Sequence, residues 1–167
     1  MKKLSVFIIV FALSVCFLAG CGSASNDGPE CADILNSIKE TTDDGFDTVY
    51  SYNDDMYRDS FGNMYGITWD MIDDGGIIYT GEGGLADEIS IVHLKDQADI
   101  KIAKDKMNDR LSERRNAFMG YKPEEVYKLE NAVIMVQGNF VALIISDDPA
   151  MMETKLRGYI TDNQKGE

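Results

Sequence analysis

Apolar residues are distributed along this chain in three patterns, and each pattern predicts a different kind of segment. Near the N-terminus, an almost unbroken apolar run extends over residues 4–19. Positions 31, 34, 35 and 38 follow the spacing of one helix face and predict a helix that ends near Thr41. Residues 88–95 are rich in β-branched side chains and predict a short, mostly buried strand.

The second half of the chain carries the clearest periodicity. Asp96 is expected to cap a long amphipathic helix that ends near Gly120. One face of this helix carries its apolar residues, which are Ile100, Ala103, Met107, Leu111 and Phe118. A short helix is predicted from Pro123 to about residue 130.

Two β-rich runs, residues 132–136 and 140–145, flank the pair Gly138-Asn139. Gly-Asn suits a two-residue hairpin turn because both residue types tolerate positive φ. After this hairpin, one face of a terminal helix is marked by Met152, Leu156, Tyr159 and Ile160.

Residues 46–86 show weaker periodicity but contain many aromatic side chains, which need burial somewhere. Asp54-Asp55 predicts the start of a short helix here, and residues 76–80 predict a short strand. Together with the clearer elements, these segments predict an α+β fold. We expect a small sheet with a central hairpin, packed by the long amphipathic helix and by N- and C-terminal helices.

The N-terminal apolar run has the layout of a secretory signal. Lys2 and Lys3 precede it, and it is shorter than the roughly 20 residues that span a bilayer. Its end, Leu18-Ala19-Gly20-Cys21, resembles the bacterial lipoprotein signal, in which a small residue precedes a lipidated cysteine. The resemblance implies cleavage after Gly20, a diacylglycerol thioether on Cys21, and export across the cytoplasmic membrane. An ordinary signal peptide or a single-span anchor is the alternative.

These signals divide the chain of 167 residues into four parts. We predict a lipoprotein signal peptide at 1–20, the lipidated cysteine with a flexible tether at 21–28, a single α+β domain at 29–162, and a frayed tail at 163–167. The expected location is the cell membrane, with the domain lipid-anchored on the outer, extracytoplasmic face.

Charge narrows the classes of function. The chain has 29 acidic and 16 basic residues, a net charge of -13, which argues against nucleic-acid binding through phosphate neutralisation. The acidity is concentrated, because residues 21–88 hold 16 acids and two bases, whereas residues 89–167 hold 13 acids and 12 bases. The first half is therefore the part in which a cation or a basic partner is expected.

Candidate catalytic and metal-binding residues are few. His93 is the only histidine, and it lies in a predicted strand without a nucleophile motif, so we expect a structural, partly exposed side chain. After removal of the signal, Cys31 is the only unmodified cysteine, and its helical spacing predicts a packed apolar role. The glycine-rich residues 81–84 lack the lysine of a phosphate-binding loop and are interpreted as a flexible connection. We predict no catalytic residue, no cofactor and no metal site.

Two interpretations of residues 43–75 stay open. The dense acids between Asp43 and Asp74 supply the oxygen ligands that Ca²⁺ prefers, although a solvated acidic surface is the simpler interpretation. The aromatic residues Tyr57, Tyr65 and Trp69 are suited to line a sugar-binding cleft. The alternative function is therefore a calcium-dependent or cell-wall-modifying protein that uses this region.

The predicted long helix also has a basic side, formed by Lys101, Lys104, Lys106, Arg110, Arg114 and Arg115. We expect a solvated face with ion pairs to Asp105 and Asp109. Contact with anionic lipid headgroups is the alternative.

Several short segments resemble a known family. They are residues 87–92 (Asp-Glu-Ile-Ser-Ile-Val), 114–118 (Arg-Arg-Asn-Ala-Phe), 120–125, 129–133, Gly138-Asn139 and residues 146–148. In this order after a lipoprotein signal, they resemble the family catalogued as domain of unknown function 4358, found in exported lipoproteins of Gram-positive bacteria, mainly clostridia. The resemblance covers roughly residues 30–160. It implies a small extracytoplasmic lipoprotein domain and supplies no activity or catalytic residues to transfer.

The sequence therefore predicts a lipid-anchored extracytoplasmic lipoprotein that acts as a non-catalytic binding or envelope-associated module. Its expected partners are the cell membrane, through lipid at Cys21, and an envelope protein or wall polymer. No nucleic acid is expected among them.

Overall fold

The computed structural model describes residues 30–42, 45–81 and 84–164, so the predicted signal and tether lie outside the described residues. The helices are α1 (Cys31–Thr41), α2 (Asp55–Tyr65), α3 (Ile100–Tyr121), α4 (Val126–Glu130) and α5 (Pro149–Gln164). The strands are β1 (Thr48–Ser51), β2 (Ile72–Tyr79), β3 (Glu88–Leu94), β4 (Val133–Gln137) and β5 (Phe140–Ile145). Short 3₁₀ turns at Trp69–Met71, Gln97–Asp99 and Pro123–Glu125 precede β2, α3 and α4.

The five strands form one sheet in the order β1-β2-β3-β5-β4, and neighbouring strands are antiparallel throughout. Successive side chains of a strand point to opposite faces of the sheet. In the central strand β3, Ile89 and Ile91 therefore point to one face, whereas Ser90 and Val92 point to the other. All four are buried, because helices cover both faces.

Each face of the sheet has its own apolar core. On the first face, α1 and α5 pack against Ile89 and Ile91 through Cys31, Ile34, Leu35, Ile38, Met152, Leu156 and Ile160. On the second face, α2, α3 and α4 contribute Tyr57, Phe61, Ala103, Met107, Phe118 and Leu129. The predicted α+β class, with its hairpin, long helix and terminal helices, is confirmed. None of the helices in the described part of the chain is long and apolar enough to cross a membrane.

The aromatic residues of α2 are packing residues. The ring centroids of Tyr57 and Phe61 are 5.0 Å apart, and those of Phe61 and Tyr65 are 4.6 Å apart. Spacing of four residues places the three rings on one helix face, and all three are buried against the sheet. Trp69 meets Tyr57 edge-on at 5.6 Å and is only partly buried. Tyr57 and Tyr65 therefore belong to the core.

The strand predicted at residues 76–80 is longer than expected and begins at Ile72. Asp73-Asp74-Gly75-Gly76 has the composition of a turn, which hides the strand in the sequence. In the fold, the Asp74 carboxylate accepts the backbone N–H of Cys31 at 2.5 Å, at the start of α1. Helices approach Gly75 and Gly76 closely from opposite faces of the sheet. A Cβ atom on Gly75 would be 2.3 Å from Tyr57 Oη of α2, and a Cβ atom on Gly76 would be 2.7 Å from Leu35 Cδ1 of α1.

The predicted hairpin is formed by β4 and β5, with Gly138-Asn139 between them. Gly138 has a φ of 56°, whereas no non-glycine residue in the described ranges has positive φ. Of the two turn residues, only Gly138 therefore has positive φ. Type II′ turns have glycine at this first central position. Asn139 instead donates its side-chain amide to the carbonyl of Leu94 at 3.0 Å, which ties the turn to the end of β3.

Replacement of Gly75 by alanine should lower the free energy of unfolding by about 1–3 kcal/mol, because the new Cβ would overlap Tyr57 Oη. Tyr57→Phe in the same chain should recover part of this loss, since that hydroxyl is buried and has no partner among the described residues. Urea unfolding measures both effects. Gly62→Ala is the control, because its Cβ meets open space on α2 and should stabilise by up to about 1 kcal/mol. Equal losses at the two glycines would contradict the packing explanation.

Candidate functional site

The densest group of charged contacts surrounds the first residue of β3 and the two residues before it. Ala86, Asp87 and Glu88 are almost completely buried. The residues that hold them are Tyr65 of α2, Arg110 and Arg114 of α3, Glu125 and Lys128. We call these eight residues the polar clamp.

Glu88 receives hydrogen bonds from two helices. Tyr65 Oη donates to its carboxylate at 2.5 Å, Arg110 Nη2 at 2.9 Å, and Arg114 Nη1 lies 3.2 Å away. Burial alone raises the pKa of Glu88, but attraction to Arg114 and Arg110 and hydrogen bonds from Arg110 and Tyr65 outweigh burial, so the pKa lies below its ordinary value. The carboxylate is therefore ionised at neutral pH and neutralises part of the charge of the two guanidiniums.

Asp87 is held from the other side by Lys128. The Lys128 ammonium lies 2.8 Å from Asp87, 3.1 Å from Glu125 and 3.5 Å from the partly exposed Asp147. Burial raises the pKa of Asp87 more than the contact with Lys128 lowers it. For Lys128, burial alone lowers the pKa, but hydrogen bonds to Asp87 and Glu125 outweigh burial and raise it. Lys128 thus stays charged inside the protein.

The backbone of Ala86 completes the polar clamp. Its N–H donates to Glu125 at 3.0 Å, and its carbonyl accepts from Arg114 Nη2 at 2.9 Å. Arg114 therefore bridges the Ala86 backbone and the Glu88 carboxylate, which fixes where its guanidinium lies.

A cavity of about 300 Å³ opens beside the polar clamp. Its apolar wall consists of Met64, Tyr79, Leu85 and Phe118, and its polar lining of Thr80, Asp87, Glu88, Arg110 and Arg114, with Gly84 at the edge. We call it the arginine cavity. Within the described part of the chain, two lining residues have buried polar atoms without a hydrogen-bond partner, Thr80 Oγ1 and Arg114 Nε. The arrangement can bind a small molecule, because it combines a preformed concave apolar wall with a few fixed polar groups.

The prediction that Arg110 and Arg114 lie on a solvated helix face is wrong. Both side chains turn inward and are only 15% and 17% exposed. Their positions continue the buried stripe from Ala103 and Met107 to Phe118, because steps of three or four residues stay on one helix face. That spacing, with two acids directly before an apolar strand, is the signal in the sequence that could have found the polar clamp.

The remaining basic residues of α3 behave more nearly as predicted. Lys101 pairs with Asp105 at 2.5 Å, and Lys106 lies 4.0 Å from Asp109. Arg115 stays on the surface and pairs with Glu130 at 2.5 Å. This face carries both signs of charge.

His93 and Cys31 lie at the other end of β3 from the polar clamp. His93 is partly exposed, as predicted, and its ring stacks on Phe140 with 4.3 Å between centroids. Cys31 is fully buried, as predicted, and burial together with the nearby Asp74 carboxylate raises the pKa of its thiol. A protonated, buried thiol is a poor nucleophile. Cys21, the predicted lipidation site, lies outside the described residues.

The acids of the first half serve separate local roles. Asp47 accepts the N–H of Gly81 at 2.7 Å, and Asp54 accepts the N–H of Ser51 at 2.7 Å. Over residues 30–42, 45–81 and 84–164, no group of three or more His, Cys, Asp or Glu side chains is placed to hold a metal ion. Asp43 and Asp44 lie outside those ranges.

A family model described as Domain of unknown function (DUF4358) matches residues 58–146. The matched part runs from α2 to the end of β5 and contains the whole polar clamp and every residue that lines the arginine cavity. It leaves out α1, β1 and α5. Comparisons with curated proteins and with solved structures gave no match.

Glu88→Gln should lower the free energy of unfolding by about 3–5 kcal/mol at neutral pH, because it leaves two buried guanidiniums without their carboxylate. The folded pKa of Glu88 lies below its unfolded value. Its stabilising contribution is therefore present above about pH 4.3 and is lost as the pH falls through the lower folded pKa. Urea unfolding should show that the difference in free energy of unfolding between wild type and variant becomes smaller as the pH falls.

Glu130→Gln is the matched control, since it breaks an arginine–glutamate pair of α3 that is about half exposed. Its cost should stay below about 1 kcal/mol. The role assigned to Glu88 would be contradicted if Glu88→Gln lowered the free energy of unfolding by the same amount as this control. A loss that does not change with pH would contradict it as well.

Proposed function

We propose that this chain, which belongs to the family Domain of unknown function (DUF4358), is a lipid-anchored extracytoplasmic lipoprotein that works as a non-catalytic binding module. The arginine cavity is the observation that carries the binding function. The lipid anchor rests on Leu18-Ala19-Gly20-Cys21 at the end of a secretory-type signal.

The position of the cavity relative to the anchor supports this proposal. α1 begins at Cys31, ten positions after Cys21. The backbone N–H of Cys31 donates a hydrogen bond to the Asp74 carboxylate, and Asp74 pairs with His93 in the sheet. The tethered end of the domain is therefore the Leu94 end of β3. The arginine cavity lies at the Glu88 end, about 20 Å away at 3.3 Å per residue. A domain tethered near Cys31 would thus carry its cavity at the end of β3 that is farther from the tether.

The chemistry near the cavity favours binding over catalysis. Among the described residues, the histidine and the thiol both lie at the tethered end, away from the cavity. The two carboxylates that line the cavity are each committed to buried cations. The lining therefore offers hydrogen bonds and apolar contact rather than a nucleophile with its base.

Replacement of Cys21 by serine should move the protein from the membrane fraction to the soluble fraction or leave it unprocessed, because the lipid thioether cannot form. Fractionation followed by immunoblotting measures this. Cys31→Ala is the control, since that thiol is buried and should not affect anchoring. A Cys21→Ser protein that stays membrane-bound at wild-type size would contradict the anchor.

Incubation of the purified lipidated chain with soluble peptidoglycan fragments should leave the fragment masses unchanged, because no nucleophile–base pair faces the arginine cavity in the described part of the chain. Mass spectrometry over several hours measures turnover. Reproducible cleavage that is lost on heat denaturation would overturn the non-catalytic assignment.

A further inference from the structure

We propose that the arginine cavity binds a small carboxylate that carries an apolar group. The inference rests on the binding function proposed above and names the chemical class of ligand for that site. It follows from which charged groups a ligand can reach and from the apolar wall.

The charged surface that an entering ligand meets is cationic. Two acids and two arginines line the cavity, but the side chains of Asp87 and Glu88 are only 2% and 3% exposed. Arg110 and Arg114 keep 15% and 17% of their side-chain surface exposed. A ligand therefore contacts guanidinium nitrogens before carboxylate oxygens, and the planar guanidinium matches the geometry of a carboxylate.

A further cation lies at the edge of the cavity. Lys122 Nζ would be 3.7 Å from a Cβ atom built on Gly84, which belongs to the lining. The absence of a side chain at Gly84 leaves this approach open. Lys122 thus adds a third cation near the cavity, beside Arg110 and Arg114.

The wall and the size of the cavity call for an apolar group on the same ligand. Met64, Tyr79, Leu85 and Phe118 form one side, and the Arg114 guanidinium lies over the Phe118 ring at 5.2 Å. A volume of about 300 Å³ is at the lower end of the range for small-molecule sites. The cavity is therefore suited to one amino-acid-sized group and not to a long polymer.

Two lining residues have polar atoms that the described protein does not satisfy. Thr80 is 8% exposed, and its hydroxyl has no partner among the described residues. Arg114 Nε also has no hydrogen-bond partner among the described residues. Both atoms are fully buried, so they do not face the open space of the cavity. The ligand is held instead by the accessible guanidinium nitrogens of Arg110 and Arg114 and by the apolar wall.

The test uses the full lipidated chain in detergent micelles, with N-acetylphenylalanine as probe and its neutral carboxamide as the matched comparison. Calorimetric titration against empty micelles should show saturable binding of the carboxylate. The carboxamide should bind at least about tenfold more weakly, because it loses the charge-assisted hydrogen bonds to the arginines. Inorganic phosphate should not displace the probe at equal concentration, since it has no apolar group.

Two variants locate the site. Leu85→Ala removes part of the apolar wall at a side chain that is only partly buried, so it should weaken binding of the carboxylate about fivefold with little loss of stability in urea. Arg115→Lys is the control, because Arg115 points to solvent and pairs with Glu130 outside the cavity. It should leave binding unchanged.

Equal affinity for the acid and the amide, or no binding of either, would overturn the ligand class. Displacement by phosphate at equal concentration would overturn the apolar part of the proposal, and unchanged affinity in Leu85→Ala would overturn the placement of the ligand. None of these results affects fractionation of the Cys21→Ser variant or the peptidoglycan assay. Failure of the ligand class and failure of the lipoprotein function are thus distinguishable.

Discussion

The burial of ionised side chains at the start of β3 is the constraint on which the rest of this structure depends. A charge removed from water must find partners inside the protein, because its desolvation costs several kcal/mol. Glu88 finds them in Tyr65, Arg110 and Arg114, and Asp87 finds one in Lys128. These partners come from α2, α3 and α4. The second face of the sheet is thus held in one arrangement by directional contacts as well as by its apolar core.

The two faces of the sheet consequently differ in character. The face under α1 and α5 is an almost wholly apolar core, in which even Cys31 is a packing residue. The face under α2, α3 and α4 combines an apolar core with the polar clamp and the arginine cavity. The cavity exists there because Glu88 and the Ala86 carbonyl draw the Arg114 guanidinium inward, where it lines a space that apolar residues bound. The family match over residues 58–146 covers this second face and its strands and omits α1 and α5.

Local pattern in the sequence was sufficient where an element has a single-face periodicity. The apolar stripe of α3, the hairpin at Gly138-Asn139 and the terminal helix all have short-range signals, and all three are present. β1 was missed because it has only four residues and none of them is fully buried. The first half of β2 was missed because its residues have the composition of a turn. Asp74 and Gly75 belong to a strand because they pair with His93 and Val92 of β3, and contacts from α1 and α2 cover them. The inward direction of Arg110 was missed for a different reason, since the stripe places the arginine on the buried face of α3 but does not identify the carboxylate that it meets.

The sequence by itself determined the α+β class, the concentration of acid in the first half, and the packing roles of Cys31 and His93. Each depends on composition or on residues close together in the chain. Only the tertiary structure decided the polar clamp and the arginine cavity. Their contacts join Glu88 to Arg110, Ala86 to Glu125 and Asp87 to Lys128, across 22, 39 and 41 residues. Which of 29 acids meets which of 16 bases depends on how the helices pack on the sheet, and one-dimensional periodicity contains no information about that pairing.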